Sequence, residues 1–282
     1  MISPVSYEGV YPEDEPLFTF ASPPLTEVVF GIQFKPVTRF TVAHFGQLWE
    51  PFKTSGYDIS QDTSPLFPAI ERFDSRGPAE PPTLPDPLLP RVWFVHRDGT
   101  GIVQVQRDRF LHNWKRTHPD HQYPRYHQLK RMFHAHYATF SRFVDEHDLG
   151  DINPVQYEMT YVNHIPEGEG WGGLEDIGSV FPDFRWNTRH KQFLPPPSGT
   201  NLQLSFDLPD RTARLHVTIR SGTRAYDQKH LMICELSARG MPPSDSHEAM
   251  WTWFDTARHW IVKGFVDLTN ERVQHDTWGR SK

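Results

Sequence analysis

The segment EVVFGIQFKP, residues 27–36, has the pattern of a strand that buries one of its two faces. Apolar side chains occupy every second position, and Pro36 ends the run because proline cannot donate to a sheet ladder. A second segment, PVQYEMTYVNHIP at residues 154–166, shows the same alternation. Two such strands predict an antiparallel sheet that packs helices against one face.

Elements in nearly the same order follow these two strands. After the first we predict a short amphipathic helix, a hairpin that turns at Asp98-Gly99, and a long helix at residues 124–147. After the second we predict a short helix, a hairpin, one further strand and a long helix that ends near Leu268. The shared order indicates an internal duplication.

We therefore predict an α+β protein with two duplicated β-α-β(n)-α halves, residues 1–150 and 151–282, around one shared core. The antiparallel strands would form one curved sheet with the two long helices on a single face, a topology similar to TATA-binding-protein-like folds. That similarity concerns fold and implies no DNA binding. Many prolines between residues 64 and 90 exclude helix and central strand, which predicts an extended excursion lying against the body of the protein.

Composition predicts a globular protein in a reducing compartment. Of the 282 residues, 37% are hydrophobic and 23% are charged, which excludes a disordered polymer. Cys234 is the only cysteine, so no intramolecular disulfide can form. The sequence shows neither a signal peptide nor an apolar run long enough for a bilayer, which predicts a cytoplasmic protein without membrane contact. A net charge of −6 restricts any nucleic-acid binding to a local basic patch.

The side chains predicted for the open face of the sheet are mostly neutral amides and hydroxyls. Such groups suit directional hydrogen bonding in a partly enclosed space, so we predict a groove for a small polar ligand or an extended peptide. The simpler interpretation is a solvated sheet face with ordinary cross-strand pairs. The set comprises Gln33, Gln104, Gln106, Gln156, Glu158, Thr160, Gln203, Ser205, His216, Thr218 and Arg220.

A segment rich in basic and aromatic side chains adjoins this predicted face, between residues 107 and 131. It is either a local patch for nucleic acid or another partner, or a solvated helix face with a loop. From this segment the predicted binding surface takes Arg107, Arg109, Asn113, Trp114, Tyr123 and Arg125.

No established catalytic motif is present, and two weak R-x4-H matches remain, Arg131 to His136 and Arg142 to His147. Arg131 and His136 have the R-x4-H spacing of HEPN-type ribonucleases, but those enzymes are helical bundles, so a chance match in this strand-rich chain is the simpler explanation. Asp255 and His259 lie one helical turn apart, as an acid–base pair or a surface ion pair. Among the sixteen histidines, His134 and His136 would lie about 200° apart on a helix, so we predict no metal site and no cofactor.

Six segments form a recognisable set: PLTEVVFGIQF (24–34), VQVQRDRFLHNWKR (103–116), YPRYHQLKRMF (123–133), YEMTYVNHI (157–165), WFDTARHWIVKGFVDLT (253–269) and HDTWGR (275–280). Together they resemble a sporadically distributed family of uncharacterised bacterial proteins of about this length. The resemblance covers most of the chain outside the proline-rich excursion and implies no activity. A patchy distribution implies a role in an accessory or phage-defence locus.

These patterns favour a non-enzymatic protein that binds an unidentified protein or a small polar ligand. The alternatives are a metal-independent ribonuclease that uses Arg131 and His136, and a subunit that acts only as a homo-oligomer. The oligomer is suggested because one helix stripe cannot bury all of Trp251, Trp253 and Trp260.

Overall fold

The computed structural model of the chain describes residues 17–73, 88–186, 193–224, 227–242, 244 and 246–281. These residues form an α+β fold with a large antiparallel sheet. The rest of the predicted proline-rich excursion, residues 74–87, lies outside the described part of the chain. No helix in the described ranges has both the length and the apolar character needed to cross a membrane.

The first part of the chain contributes six strands and two helices among its described residues. These are β1 (Thr19–Phe20), β2 (Leu25–Phe34), α1 (Val42–Lys53), β3 (Ile59–Thr63), β4 (Arg91–Val95), β5 (Gly101–Gln106), β6 (Arg109–Lys115) and α2 (Tyr126–Glu146).

The second part contributes β7 (Pro154–Pro166), β8 (Asn201–Asp207), β9 (Ala213–Thr223), β10 (His230–Gly240), α3 (His247–Leu268), α4 (Glu271–Asp276) and β11 (Arg280–Ser281). Short 3₁₀ turns occupy Leu174–Ser179 and Pro209–Arg211. The helix α3 begins at an N-cap, where the hydroxyl of Ser246 accepts a hydrogen bond from the backbone N–H of Ala249 at 3.1 Å.

Nine of these strands form one sheet in the order β3-β4-β5-β6-β2-β7-β10-β9-β8, and all neighbours are antiparallel. The two segments that predict the sheet, β2 and β7, are neighbours at its centre, where Phe30 lies opposite Met159. The strands β1 and β11 pair separately and bring the described ends of the chain together.

The strand β6 was not predicted, because residues 109–115 were interpreted as a helix face or a loop. The structure places them between β5 and β2, where both faces of a strand are covered. Phe110 and Trp114 are buried on one side, and Arg109 and Asn113 are buried on the other. A strand that is buried on both faces loses the simple alternation of apolar and polar residues that would reveal it.

Both long helices pack on the same face of the sheet. The ring of Phe30 on β2 lies 5.1 Å from that of Phe133 on α2 and 5.5 Å from that of Phe254 on α3, between centroids. Phe30, Phe133 and Phe254 are fully buried. Burying one such side chain contributes about 1.5–3 kcal/mol, so this packing fixes which face of the sheet carries the polar residues.

Candidate binding site on the polar face of the sheet

The face opposite the helices carries polar side chains, in agreement with the predicted strand parity. Gln33 of β2 lies opposite Gln156 of β7 in the register. The hydroxyl of Thr160 on β7 donates to that of Ser237 on β10 at 2.8 Å. These residues share one side of the sheet because side chains alternate along each strand.

This polar face, where the sequence predicts a partly enclosed groove, is covered over part of its width by the chain itself. Gln33, Gln104, Gln106 and Gln156 are each 6% exposed or less. Residues 64–73, SPLFPAIERF, follow the edge strand β3 and lie across the face. We call these residues the strap. The excursion that was predicted to lie against the body of the protein therefore covers the residues that were predicted to bind a ligand.

Two glutamines hold the strap by its backbone. The side-chain Oε1 of Gln106 accepts from the N–H of Leu66 at 2.8 Å, and its Nε2 donates to the carbonyl of the same residue at 2.9 Å. The Oε1 of Gln156 accepts from the N–H of Glu71 at 2.7 Å, and its Nε2 donates to the carbonyl of Ala69 at 2.7 Å. A primary amide presents one acceptor oxygen beside donor hydrogens, so each glutamine pairs with the strap as a neighbouring strand would.

Arg109 of β6 adds a third contact to the strap backbone between the two glutamines. Its Nη2 donates to the carbonyl of Phe67 at 3.1 Å and to the Oε1 of Gln33 at 2.9 Å. Burial lowers the pKa of Arg109, although the carboxylates of Glu158 and Asp108 act in the opposite direction. The Nε of Arg109 and the Nε2 of Gln33 are buried without a partner among the described residues, so the face keeps unused donors beneath the strap.

An ion-pair cluster anchors the far end of the strap. The carboxylate of Glu71 is 10% exposed and lies 2.5 Å from the Nε2 of His216 and 2.9 Å from Nη1 of Arg214, both on β9. Burial raises the pKa of Glu71, but the His216 hydrogen bond and the neighbouring cations outweigh it. The net pKa is lowered, so this carboxylate is ionised at neutral pH.

The strap crosses the sheet in an extended form. Its Leu66 contacts β5, and the ring of Phe73 lies 4.9 Å from the guanidinium of Arg214 on β9. The five inter-strand steps from β5 to β9 span about 24 Å, and the seven residue-to-residue steps from Leu66 to Phe73 span about 23 Å when fully extended. The two lengths agree, so little slack remains between the contacts.

Other predicted members of the face are satisfied by neighbouring strands. The Oε1 of Gln104 accepts from Arg91 and Trp93, each at 2.9 Å, and its Nε2 donates to Asn113 at 2.7 Å. Glu158 accepts from Arg239 at 2.9 Å. These side chains are held in place by the sheet beside the strap and do not contact the strap directly.

The part of the face on β8, β9 and β10 retains a cavity of about 240 Å³. Its walls include Gln203, Ser205, His216, Glu235 and Ser237. Burial raises the pKa of Glu235, against the opposing charge of Arg239. Gln203 and the predicted contact Arg220 are exposed here.

Of the predicted binding residues between 107 and 125, Arg109 and Asn113 lie on the polar face beside the glutamines, whereas the other four lie elsewhere. Trp114 and Tyr123 lie on the helix side of the sheet, with ring centroids 5.3 Å apart. Arg125 immediately precedes α2 on that side. Arg107 lies at the turn between β5 and β6 and donates to the carbonyls of Val37 and Thr38. The basic residues are therefore dispersed over several surfaces.

The structure does not bring the two residues of the ribonuclease hypothesis together. Arg131 is exposed on α2, whereas the ring of His136 packs 4.9 Å from those of Tyr57 and His112. Burial lowers the pKa of His136 to about 4. Five residues along a helix correspond to about 140° around its axis, so the two side chains point in different directions.

The other residues considered for chemistry or self-association are Asp255, Cys234, possible metal ligands and the tryptophans of α3. Asp255 accepts from the Tyr126 hydroxyl at 2.6 Å and pairs with Lys130 at 2.8 Å. Cys234 is fully buried. No group of three or more histidine, cysteine, aspartate or glutamate residues in the described ranges could hold a metal ion. Trp253 is buried, whereas Trp251 and Trp260 are half-buried against the core.

Taken together, the polar face offers backbone-directed amides, one buried guanidinium and an anion-binding pair of side chains, all arranged around an extended segment. On the same face the hydroxyl of Ser205 lies 3.1 Å from Nδ1 of His216, whose Nε2 contacts Glu71. Comparisons of this chain with protein-family models, with curated proteins and with solved structures found no match.

Proposed function

We propose that this chain is a non-enzymatic binding protein whose polar sheet face holds an extended polypeptide, and that the strap is its own occupant of that site. The observation that carries the proposal is the pairing of Gln106 and Gln156 with the strap backbone. Hydrogen bonds to the main chain do not depend on the side chains of the bound segment. Another extended segment with an acidic residue in the place of Glu71 would therefore make the same contacts.

The way in which the strap is held supports exchange with a partner. No apolar side chain of the strap is fully buried: Phe67 and Ile70 are 57% and 42% exposed, and Leu66 and Phe73 are half-buried. The strap therefore gains little from the hydrophobic effect and relies on a few hydrogen bonds worth about 1 kcal/mol each and one ion-pair cluster. Segments with few buried apolar contacts open at a lower free-energy cost than the core does.

The test begins with a variant in which residues 65–72 are replaced by a glycine–serine segment of equal length. A labelled peptide of sequence SPLFPAIERF is then titrated and followed by fluorescence anisotropy, with circular dichroism to confirm the fold. In the intact chain the neighbouring residues hold the strap near its site at an effective concentration in the millimolar range. Because the strap is docked at that concentration, we expect the free peptide to bind saturably with a Kd below about 1 mM.

Two further variants in the same background test the contacts. Replacing both Gln106 and Gln156 by alanine should weaken peptide binding at least tenfold. Gln203→Ala, an exposed change on the same face, should leave it unchanged. If the folded protein with the replaced strap binds no peptide, the strap is only a structural element and the proposed function is wrong.

We also infer that the two halves arose by duplication. The strand order supports this inference, because each half places its first strand, β2 or β7, at the centre of the sheet. The remaining strands of each half lead inward from an edge to β6 or β10, which pairs with that first strand, and a long helix follows. This arrangement is compatible with the proposed similarity to TATA-binding-protein-like folds.

The cellular setting is proposed on the sequence alone. The resemblance to sporadically distributed bacterial proteins supports a role in an accessory or phage-defence locus, and the single cysteine supports a reducing, cytoplasmic compartment. Co-purification from the native host followed by mass spectrometry would identify the segment that replaces the strap. Light scattering on the same preparation would test self-association.

A further inference from the structure

A cavity of about 610 Å³ lies on the helix side of the sheet, where the start of α2, the middle of α3 and the β1–β11 pair meet. Much of its wall is apolar and includes Phe20, Leu25, Ile261 and Phe265. Its volume is within the range of pockets that hold drug-sized molecules, and a mainly apolar wall with a few polar groups is typical of such sites.

The polar groups of this cavity include two tyrosines and two arginines. The hydroxyls of Tyr123 and Tyr161 lie 3.3 Å apart. Arg125 and Arg258 also line the cavity, and the guanidinium of Arg258 lies 4.5 Å from the centre of the Tyr126 ring. Burial raises the pKa of both Tyr123 and Tyr161, so their hydroxyls remain protonated donors.

The charges around the cavity are unbalanced. Neither Arg125 nor Arg258 has an ion-pair partner among the described residues, and the nearby carboxylate of Asp255 is taken by Lys130 and the Tyr126 hydroxyl. Arg125 has a φ of 69°, a left-handed conformation that is unfavourable for a residue with a side chain. Two cations beside an apolar wall create a positive potential that attracts an anion.

We propose that this cavity binds a small amphipathic oxyanion, whose aromatic body packs among the rings of the wall and whose carboxylate or phosphate pairs with Arg125 and Arg258. The hydroxyl that does not donate within the Tyr123–Tyr161 pair would donate a further hydrogen bond to the same group. The cavity lies across the sheet from the strap, so this proposal stands independently of peptide binding.

Isothermal titration calorimetry with three probes of similar shape tests the proposal on the full chain. The probes are 2-naphthoate, 1-naphthyl phosphate and the neutral analogue 2-naphthylmethanol. We expect at least one oxyanion to bind at least tenfold more tightly than the alcohol, because each charge-assisted hydrogen bond contributes about tenfold. The ranking of the two anions identifies the preferred head group.

The double variant Arg125→Gln, Arg258→Gln should weaken binding of that anion by about a hundredfold and abolish its advantage over the alcohol. Arg142→Gln, a change at an exposed arginine of α2, is the matched control and should have no effect. Three outcomes would each overturn the proposal: no saturable binding of either anion at millimolar concentration, equal affinity for the alcohol, or equal loss in the control variant. Thermal unfolding of each variant shows whether the fold is retained, and Tyr161→Phe serves as a milder second variant if the double variant unfolds.

Discussion

Replacing Gln156 by leucine should release the strap while leaving the sheet intact. Gln156 is 1% exposed and makes two hydrogen bonds of 2.7 Å to the strap backbone. Leucine has a similar size but neither a donor nor an acceptor. The N–H of Glu71 and the carbonyl of Ala69 would then face an apolar group.

The expected loss follows from those two hydrogen bonds. Each is worth about 1 kcal/mol net, so docking of the strap should weaken by about 2 kcal/mol. The further penalty for keeping two backbone groups unpaired, about 1–3 kcal/mol each, is avoided when the strap lifts and water reaches them. A loss of 2 kcal/mol corresponds to about a thirtyfold larger population of the undocked strap.

Hydrogen exchange measures this population directly. The amides of Leu66 and Glu71 are the donors bound by the two glutamines, so their exchange reports undocking. In Gln156→Leu we expect both to exchange about thirtyfold faster if the strap opens as a unit. Amides of the central strands β2 and β7 should exchange at the wild-type rate.

The control is Gln203→Leu, which makes the same chemical change at an exposed position of the polar face. Unchanged exchange at Glu71 in Gln156→Leu would show that the glutamine contacts do not hold the strap. Acceleration of Glu71 and the β2 amides by the same factor would show that the strap opens only with the whole fold. Either result would refute the reasoning.

Three further outcomes are expected. Burial lowers the pKa of His136 to about 4 in the folded state, whereas in the unfolded chain the imidazole has a pKa near 6.5. Because the unfolded state then binds a proton that the folded state does not, the free energy of unfolding should fall by about 3 kcal/mol from pH 6.5 to pH 4. Urea unfolding of His136→Phe should lack this part of the loss. The pKa of Glu71 is lowered on folding, so its contribution to the free energy of unfolding is present above its unfolded pKa and lost on acidification. In the same urea assay Glu71→Gln should lower the stability by about 1–3 kcal/mol at pH 7 and by progressively less at lower pH. A Cβ at Gly240 would lie 2.6 Å from the backbone of Ala213, so Gly240→Ala should destabilise by about 2–3 kcal/mol, whereas Gly46→Ala on the open side of α1 should stabilise by about 0.5–1 kcal/mol.

Strand parity was predictable because it depends on neighbouring residues only. The alternation at Val28, Phe30 and Ile32 predicts which side chains face the helices, and the registers of β2 with β6 and β7 agree with it. The hairpin of β4 and β5 was predictable from Asp98-Gly99 for the same reason. The same parity, continued along β9 and β10, would also have placed Arg214 and Arg239 on the polar face.

The covering of that face was not predictable, because it joins residues that are far apart in the sequence. Glu71 lies 143 and 145 positions from its partners Arg214 and His216. One signal was present: Glu71 follows a run of apolar and proline residues, SPLFPAI, where a lone carboxylate needs a partner once the segment lies against the protein. The sequence alone does not name that partner.

The choice of amides on the polar face is itself an argument for exchange of the occupant. Lysine or glutamate at the positions of Gln106 and Gln156 would be well solvated when open, but burying such a charge costs far more than burying a neutral amide. Apolar residues would favour the covered state and would leave an exposed hydrophobic patch, prone to aggregation, whenever the strap lifts. The neutral amides of Gln106 and Gln156 can hydrogen-bond to water as well as to a bound backbone, so both the open and the covered state offer them partners. Under the proposed function, a face with this composition would let a partner compete with the chain's own segment without first overcoming a large hydrophobic or electrostatic cost.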